Sequence, residues 1–147
     1  MTKGYSIELL DKEQVVDNWG TLYPMLEASV LGNAISATDM DPGYVLRAVL
    51  AEEAVIFACR RNGDIEFIIA FEFSLTNGHK CADLIAMSGK YLVKFRNLYW
   101  AAIIDWLRAS DVRFLDTMVA EEHAKVYLSK FGFDHSCTIL RKELSHG

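Results

Sequence analysis

Two Asn-Gly pairs constrain this chain more than anything else in it. Asn62-Gly63 and Asn77-Gly78 divide the stretch AVIFACRRNGDIEFIIAFEFSLTNGHKCADLIAMS into three runs rich in β-branched and aromatic residues. Asn-Gly occupies the two left-handed positions of a tight hairpin turn at little cost. An antiparallel meander over residues 54–60, 65–75 and 80–88 is therefore expected. Side chains alternate sides along a strand. Phe67, Ile69, Phe71 and Phe73 share one face of the middle strand, and Glu66, Ile68, Ala70 and Glu72 share the other.

Helical patterns flank the meander. Residues 5–10 read as a first strand. Asp11 then suits an N-cap, with Val15, Trp19, Leu22 and Leu26 on one helix face. Pro24 is expected to break or kink that helix near Tyr23. Residues 32–40 are small and polar, hence a loop, and Asp41-Pro42 opens a second helix through about Glu52. After the meander, Leu92, Phe95, Tyr99, Ala102, Ile103 and Trp106 make an apolar stripe, with Lys94, Asn97, Ala101, Asp105 and Arg108 opposite. Residues 113–119 read as a strand. Ala124, Tyr127, Leu128 and Phe131 recur at helical spacing before a capping Gly132, and residues 133–144 read as a closing strand.

A strand-helix-strand unit over residues 80–119 implies a right-handed crossover between parallel strands. The expected fold class is α/β with a mixed sheet, in one domain spanning residues 1–147. Its antiparallel meander continues into one parallel pair that diverges at its C-terminal end, and helices cover both faces.

Composition narrows the function classes. Hydrophobic residues make up 52% of the 147 and charged residues 24%, which suits a packed core and not a disordered chain. A net charge of −5 argues against general binding to nucleic acid or to anionic membranes. The start, MTKGYSIELL, has no apolar run of a secretion signal, and LYWAAIIDWL is too short to span a bilayer. Cys59, Cys81 and Cys137 are odd in number and scattered, as expected of free thiols in a cytoplasmic protein. His79, His123, His135 and His146 follow no metal-ligand spacing. Nothing in sequence supplies a base to activate Cys137.

The stretch MSGKYLVKFRNLYW joins the third meander strand to the long helix. Anions bind where a strand turns into a helix, because the first N–H groups of the helix lack partners and its dipole is positive there. Met87, Ser88, Gly89, Lys90, Tyr91, Leu92 and Lys94 are the residues placed to hold a phosphate. The same residues also suit a Ser-capped helix start with solvated lysines.

This element order, ending in HAKVYLSKFGF, resembles the GNAT superfamily of acetyl-CoA-dependent N-acetyltransferases. The SGK…KFRNL junction also looks like that of small GNAT-like proteins of T7-like bacteriophages. The resemblance implies that the pantetheine arm of acetyl-CoA enters between the diverging strands and that its pyrophosphate sits on the turn. With Lys90 at the basic position of the family motif, Val93 and Phe95 stand where the motif has glycine or alanine, and their side chains are expected to hinder close approach. In many family members a tyrosine four residues after the helix alanine is the general acid. Counting from Ala124, that place holds Leu128, and Tyr127 lies one residue earlier. Glu121 stands where the family often has asparagine.

Amine acetylation needs a base for the ammonium, and Glu72 and Asp83 are the candidate carboxylates, with Tyr127 as candidate acid. Either carboxylate also suits an exposed sheet face, and Tyr127 a core aromatic. Two classes follow from the resemblance. One is an N-acetyltransferase using acetyl-CoA. The other is a GNAT-like phage protein without turnover, a monomer or homodimer that binds a host protein in the host cytoplasm. That partner surface is expected near residues 32–40 or on the final strand.

Overall fold

The computed structural model describes residues 4–29, 41–118, 121–136, 142 and 144, and for residues 121–124 the backbone alone. Five strands form one sheet in chain order: β1 (Tyr5–Leu10), β2 (Ala54–Arg61), β3 (Asp64–Thr76), β4 (His79–Gly89) and β5 (Phe114–Asp116). All neighbours are antiparallel except β4 and β5, which run parallel. Both hairpin turns are left-handed at their Asn-Gly pairs, with φ +53° and +90° at Asn62 and Gly63, and +51° and +78° at Asn77 and Gly78. The meander strands are each a residue or two longer than their sequence pattern suggests.

Helices α1 (Lys12–Asp17), α2 (Trp19–Glu27) and α3 (Pro42–Leu50) pack on one face. There Val15, Leu22, Leu26, Val45 and Val49 meet Ile56, Ile68 and Ile85. Helices α4 (Leu92–Ala109) and α5 (Glu121–Lys130) cover the other face, where Phe95, Ile103, Leu107, Tyr127 and Phe131 meet Phe57, Phe67, Ile69 and Phe71. A sheet covered on both sides explains why β3 is apolar on both of its faces. Among the described residues no helix is long and apolar enough to cross a membrane.

Local signals set the helix starts. Asp11 and Gln14 form a reciprocal capping box, and the Asp41 carboxylate accepts the Tyr44 N–H at 2.7 Å. Pro24 does not end its helix. The break falls at Asn18, whose φ of −100° and ψ of 12° leave helical geometry, while Pro24 lies inside α2. Helix α3 stops at Leu50, short of Glu52, because Glu52 turns left-handed at φ +62°. Ala102 is exposed and not part of the buried stripe of α4; Leu107 is buried in its stead.

Strand β5 is only three residues long. Cys81, Ala82 and Asp83 pair with Phe114, Leu115 and Asp116; beyond them Thr117 turns its hydroxyl onto the Leu84 carbonyl at 3.1 Å. A bulge sits at the same level. Pairing steps from Ala70–Ala86 to Phe71–Leu84, which leaves Ile85 as the extra residue. A bulge bends its strand, and this one lies where β4 loses β5. The expected parallel pair is therefore present and β4 runs on past it to Gly89, though β5 is shorter than residues 113–119. Residues 133–136 are not a strand, and the rest of the expected closing strand, like residues 32–40, lies outside the described residues.

Candidate acyl-CoA cleft

Beside the C-terminal end of β4, beyond its last pair with β5, a cleft of about 630 Å³ opens. Pro24, Met25 and Ala28 of α2 form one wall, and Val126 and Tyr127 of α5 another. Phe67 and Met87 lie between them, and Ser88, Gly89, Lys90 and Leu92 line the end beside α4. Apolar walls with few polar groups are usual for a small-molecule site. Ser29, buried at the end of α2, accepts the Met87 N–H at 3.1 Å and so satisfies a strand-edge donor that β5 does not reach.

The turn before α4 departs from expectation in three ways. Gly89 is needed by the sheet: at φ +127°, an added Cβ would lie 2.1 Å from the Glu66 carbonyl oxygen and 2.7 Å from the Phe67 Cα. The Lys90 N–H is not available to a ligand, since it donates to the Glu66 carbonyl at 2.7 Å. Phe95 and Val93 do not obstruct the cleft. Phe95 is buried and stacked between Phe67 and Tyr99, while Val93 points to solvent at 60% exposure.

The N-cap of α4 is Tyr91, left-handed at φ +64° and making no capping side-chain bond. The N–H groups of the first turn thus have neither an intrahelical partner nor a side-chain cap, and no acidic side chain lies there. Successive N–H groups across such a change of handedness form a concavity suited to anions. Tyr91 and Lys94 themselves lie away from the cleft. The Tyr91 hydroxyl accepts from Arg61 at 2.7 Å, and the Lys94 ammonium sits 5.2 Å over the Tyr5 ring.

Tyr127 is only 5% exposed, packs on Phe131 and Phe133, and lines the cleft. Burial pushes its hydroxyl up to about 12. Leu128, which holds the place of the family's tyrosine, is turned outward at 45% exposure. The one-residue offset therefore puts an aromatic, not an aliphatic, side chain on the cleft wall.

The two candidate carboxylates lie elsewhere, on the α1–α3 side of the sheet. Registered pairing sets Glu72 opposite Asp83, and Asp83 opposite Asp116, in one row across three strands. Tyr44 of α3 donates to the Glu72 carboxylate at 2.6 Å. That bond first, and burial second, push the Tyr44 hydroxyl up to about 12. Asp83 is half-buried, and its carboxyl is pushed up by burial and then by the charges of Asp116 and Glu72. Beside this row Tyr44, Arg47, Glu53 and Glu72 line a smaller cavity of about 210 Å³. Asp83 is four residues before Met87, about 13 Å at strand rise, and does not line the main cleft.

Tyr44, Asp116 and Ser29 were missed in the sequence. Asp116 is legible only once the β4–β5 register is known, and the other two only once α2 and α3 are placed on the sheet. Among the described residues no three His, Cys, Asp or Glu gather as a metal site, and burial pushes the Cys59 thiol up to about 12.

No protein-family model and no curated protein matches the sequence. Solved structures do match in shape. A GCN5-related N-acetyltransferase from Ralstonia eutropha JMP134 superposes with a TM-score of 0.72 at 11% identity, over 95% of this chain and 99% of that one. A possible acetyltransferase from Clostridium difficile 630 gives 0.70 at 11% identity, over 97% and 99%. The aminoglycoside N-acetyltransferase AAC(6')-Iy, solved in complex with CoA, gives 0.64 at 15% identity, over 95% and 94%. Identities this low speak to architecture alone, and the chain has the fold of the GNAT acetyltransferases.

Proposed function

We propose that the chain is an acyl-CoA-dependent N-acetyltransferase acting on an amine. The observation that carries this reading is the cleft beside the C-terminal end of β4, with the uncapped first turn of α4 and Lys90 at its end. The residues present fit the ligand. First-turn N–H groups and the Lys90 ammonium suit a diphosphate, and Pro24, Met25, Phe67, Met87 and Leu92 suit an extended, mostly apolar arm. When bound, acetyl-CoA supplies a thioester whose carbonyl carbon accepts the amine nitrogen and whose sulfur leaves as a thiolate.

Asp83, outside the cleft's lining, is the residue to take the ammonium proton through water, because its raised carboxyl holds a proton more readily than an exposed aspartate. Tyr127, on the opposite face of β4, lines the cleft and would face the thioester sulfur of bound acetyl-CoA. A phenol at about 12 stays protonated, and a thiol is near 8.5, so full proton transfer runs uphill. Tyr127 would thus steady a departing thiolate by donating a hydrogen bond and not a proton. Glu72, held by Tyr44, adds negative charge for a cationic acceptor.

Exposed Val93, Val126 and Leu128, on the two helices that flank the cleft, favour a second reading, in which the fold binds another protein, such as a host protein of a phage. Calorimetric titration with acetyl-CoA separates the two. Saturable binding at submillimolar ligand is the expected result, and no binding at millimolar ligand leaves only the second.

A further inference from the structure

Glycine adopts the left-handed conformation freely, and a tyrosine does not. Tyr91 nevertheless holds φ +64° and ψ 34° immediately before α4. Arg61 Nη1 donates to the Tyr91 hydroxyl at 2.7 Å, and its Cζ lies 4.9 Å from the ring centroid. The Tyr91 and Phe95 rings meet edge to face, with centroids 6.4 Å apart. Arg61 is the last residue of β2, fixed by its pairing with Asp64 and by the Asn62-Gly63 turn that follows. Its side chain reaches past the end of β3 to the turn. Neither Arg61 nor Tyr91 lines the cleft, but Lys90 and Leu92, the two neighbours of Tyr91, both do. The conformation of Tyr91 sets where α4 begins relative to Lys90, which the Glu66 carbonyl pins to β3.

We propose that Arg61 and Tyr91 form a clamp that keeps the first turn of α4 presented to the cleft, which makes Arg61 a positioning residue for the cofactor phosphates. The clamp does with contacts what a glycine in that turn does by conformational freedom. This inference rests on the acyl-CoA reading and adds to it a residue outside the cleft.

The test measures CoA affinity by calorimetry and, in ligand-free protein, amide hydrogen exchange at residues 90–95. Arg61→Ala is expected to weaken CoA binding about three- to tenfold, the loss of one good hydrogen bond, and to speed exchange in the first turn of α4. Both side chains are exposed, so the unfolding temperature is expected to change little. Tyr91→Phe, which keeps the ring and loses the hydroxyl, is expected to give a smaller loss in the same direction. Tyr91→Gly in the Arg61→Ala background is expected to restore wild-type affinity, because glycine needs no clamp. Wild-type binding that Arg61→Ala leaves unchanged overturns the clamp alone. Failure of the glycine to restore binding also overturns it, since Arg61 then acts by charge. A wild-type protein that does not bind CoA overturns the acyl-CoA reading first, and the clamp's role with it.

Discussion

Lys90 and Lys94 are four residues apart in sequence and differ in their surroundings. Lys90 lines the cleft, whereas the Lys94 ammonium sits over the Tyr5 ring. Lys90→Ala is expected to weaken CoA binding about fivefold, as for one phosphate contact, with Lys94→Ala within about twofold of wild type by calorimetry. Asp83 gives a second contrast. Burial and two carboxylate neighbours raise its folded-state value above that of the unfolded chain. Its contribution to stability is therefore complete below the unfolded value and is lost as pH rises through the folded one. Asp83→Asn should raise the unfolding temperature at pH 7 and change it little in acid. The same substitution removes the base, so acetyl transfer to an amine should fall about 100-fold or more. In the wild type that transfer should rise as pH climbs through the raised value. A variant that is neither more stable nor slower at pH 7 counts against both statements.

At the scale of elements, the junction of β3, β4 and α4 concentrates the constraints. Gly89→Ala would drive a Cβ into the backbone of Glu66 and Phe67, which cannot move without breaking the strand pair. A cost of about 1–3 kcal/mol is expected in urea unfolding, with CoA binding lost beyond what stability explains. Helix α4 starts from Tyr91 with no capping side-chain bond, whereas the starts of β3, β4, α1 and α3 follow local chemistry: Asn-Gly at the turns, Asp11 and Asp41 at the helix starts. The Ile85 bulge and the three-residue length of β5 do not. The bulge depends on the register of β3 against β4 and the length of β5 on how it meets β4, and Val112 to Met118 look alike in sequence whether paired or not.

For the whole molecule, one sheet separates two cores that share no side chain but share every strand from β2 to β4. Leu22→Ala removes a fully buried side chain from one core and is expected to cost about 2–5 kcal/mol; Phe95→Ala, 1% exposed in the other, about 3–5 kcal/mol. Both variants should shift a single transition when near- and far-ultraviolet circular dichroism are followed together. Two separate transitions in either variant would mean that the faces unfold independently.

Period-two alternation in Phe67 to Phe73, the helical stripe through Phe95, Ile103 and Trp106, and the caps and turns are interactions between near neighbours in the chain. They determine the element order and the parallel crossover without reference to the rest of the molecule. The strand-turn-helix junction drew attention to Met87, Ser88, Gly89, Lys90 and Leu92, and the family resemblance to Tyr127, and the cleft brings those six together. The junction also drew in Tyr91 and Lys94, whose side chains are claimed by Arg61 and Tyr5. Which of two adjacent helical residues faces a cleft, as with Tyr127 and Leu128, depends on a rotation of about 100° that packing of α5 settles. The availability of the Lys90 N–H, the pairing of Glu72 with Tyr44 and the row from Glu72 to Asp116 likewise arise between segments distant in sequence. Only tertiary structure decides these, because a hydrogen-bond donor or a charge takes its properties from whatever the fold sets beside it.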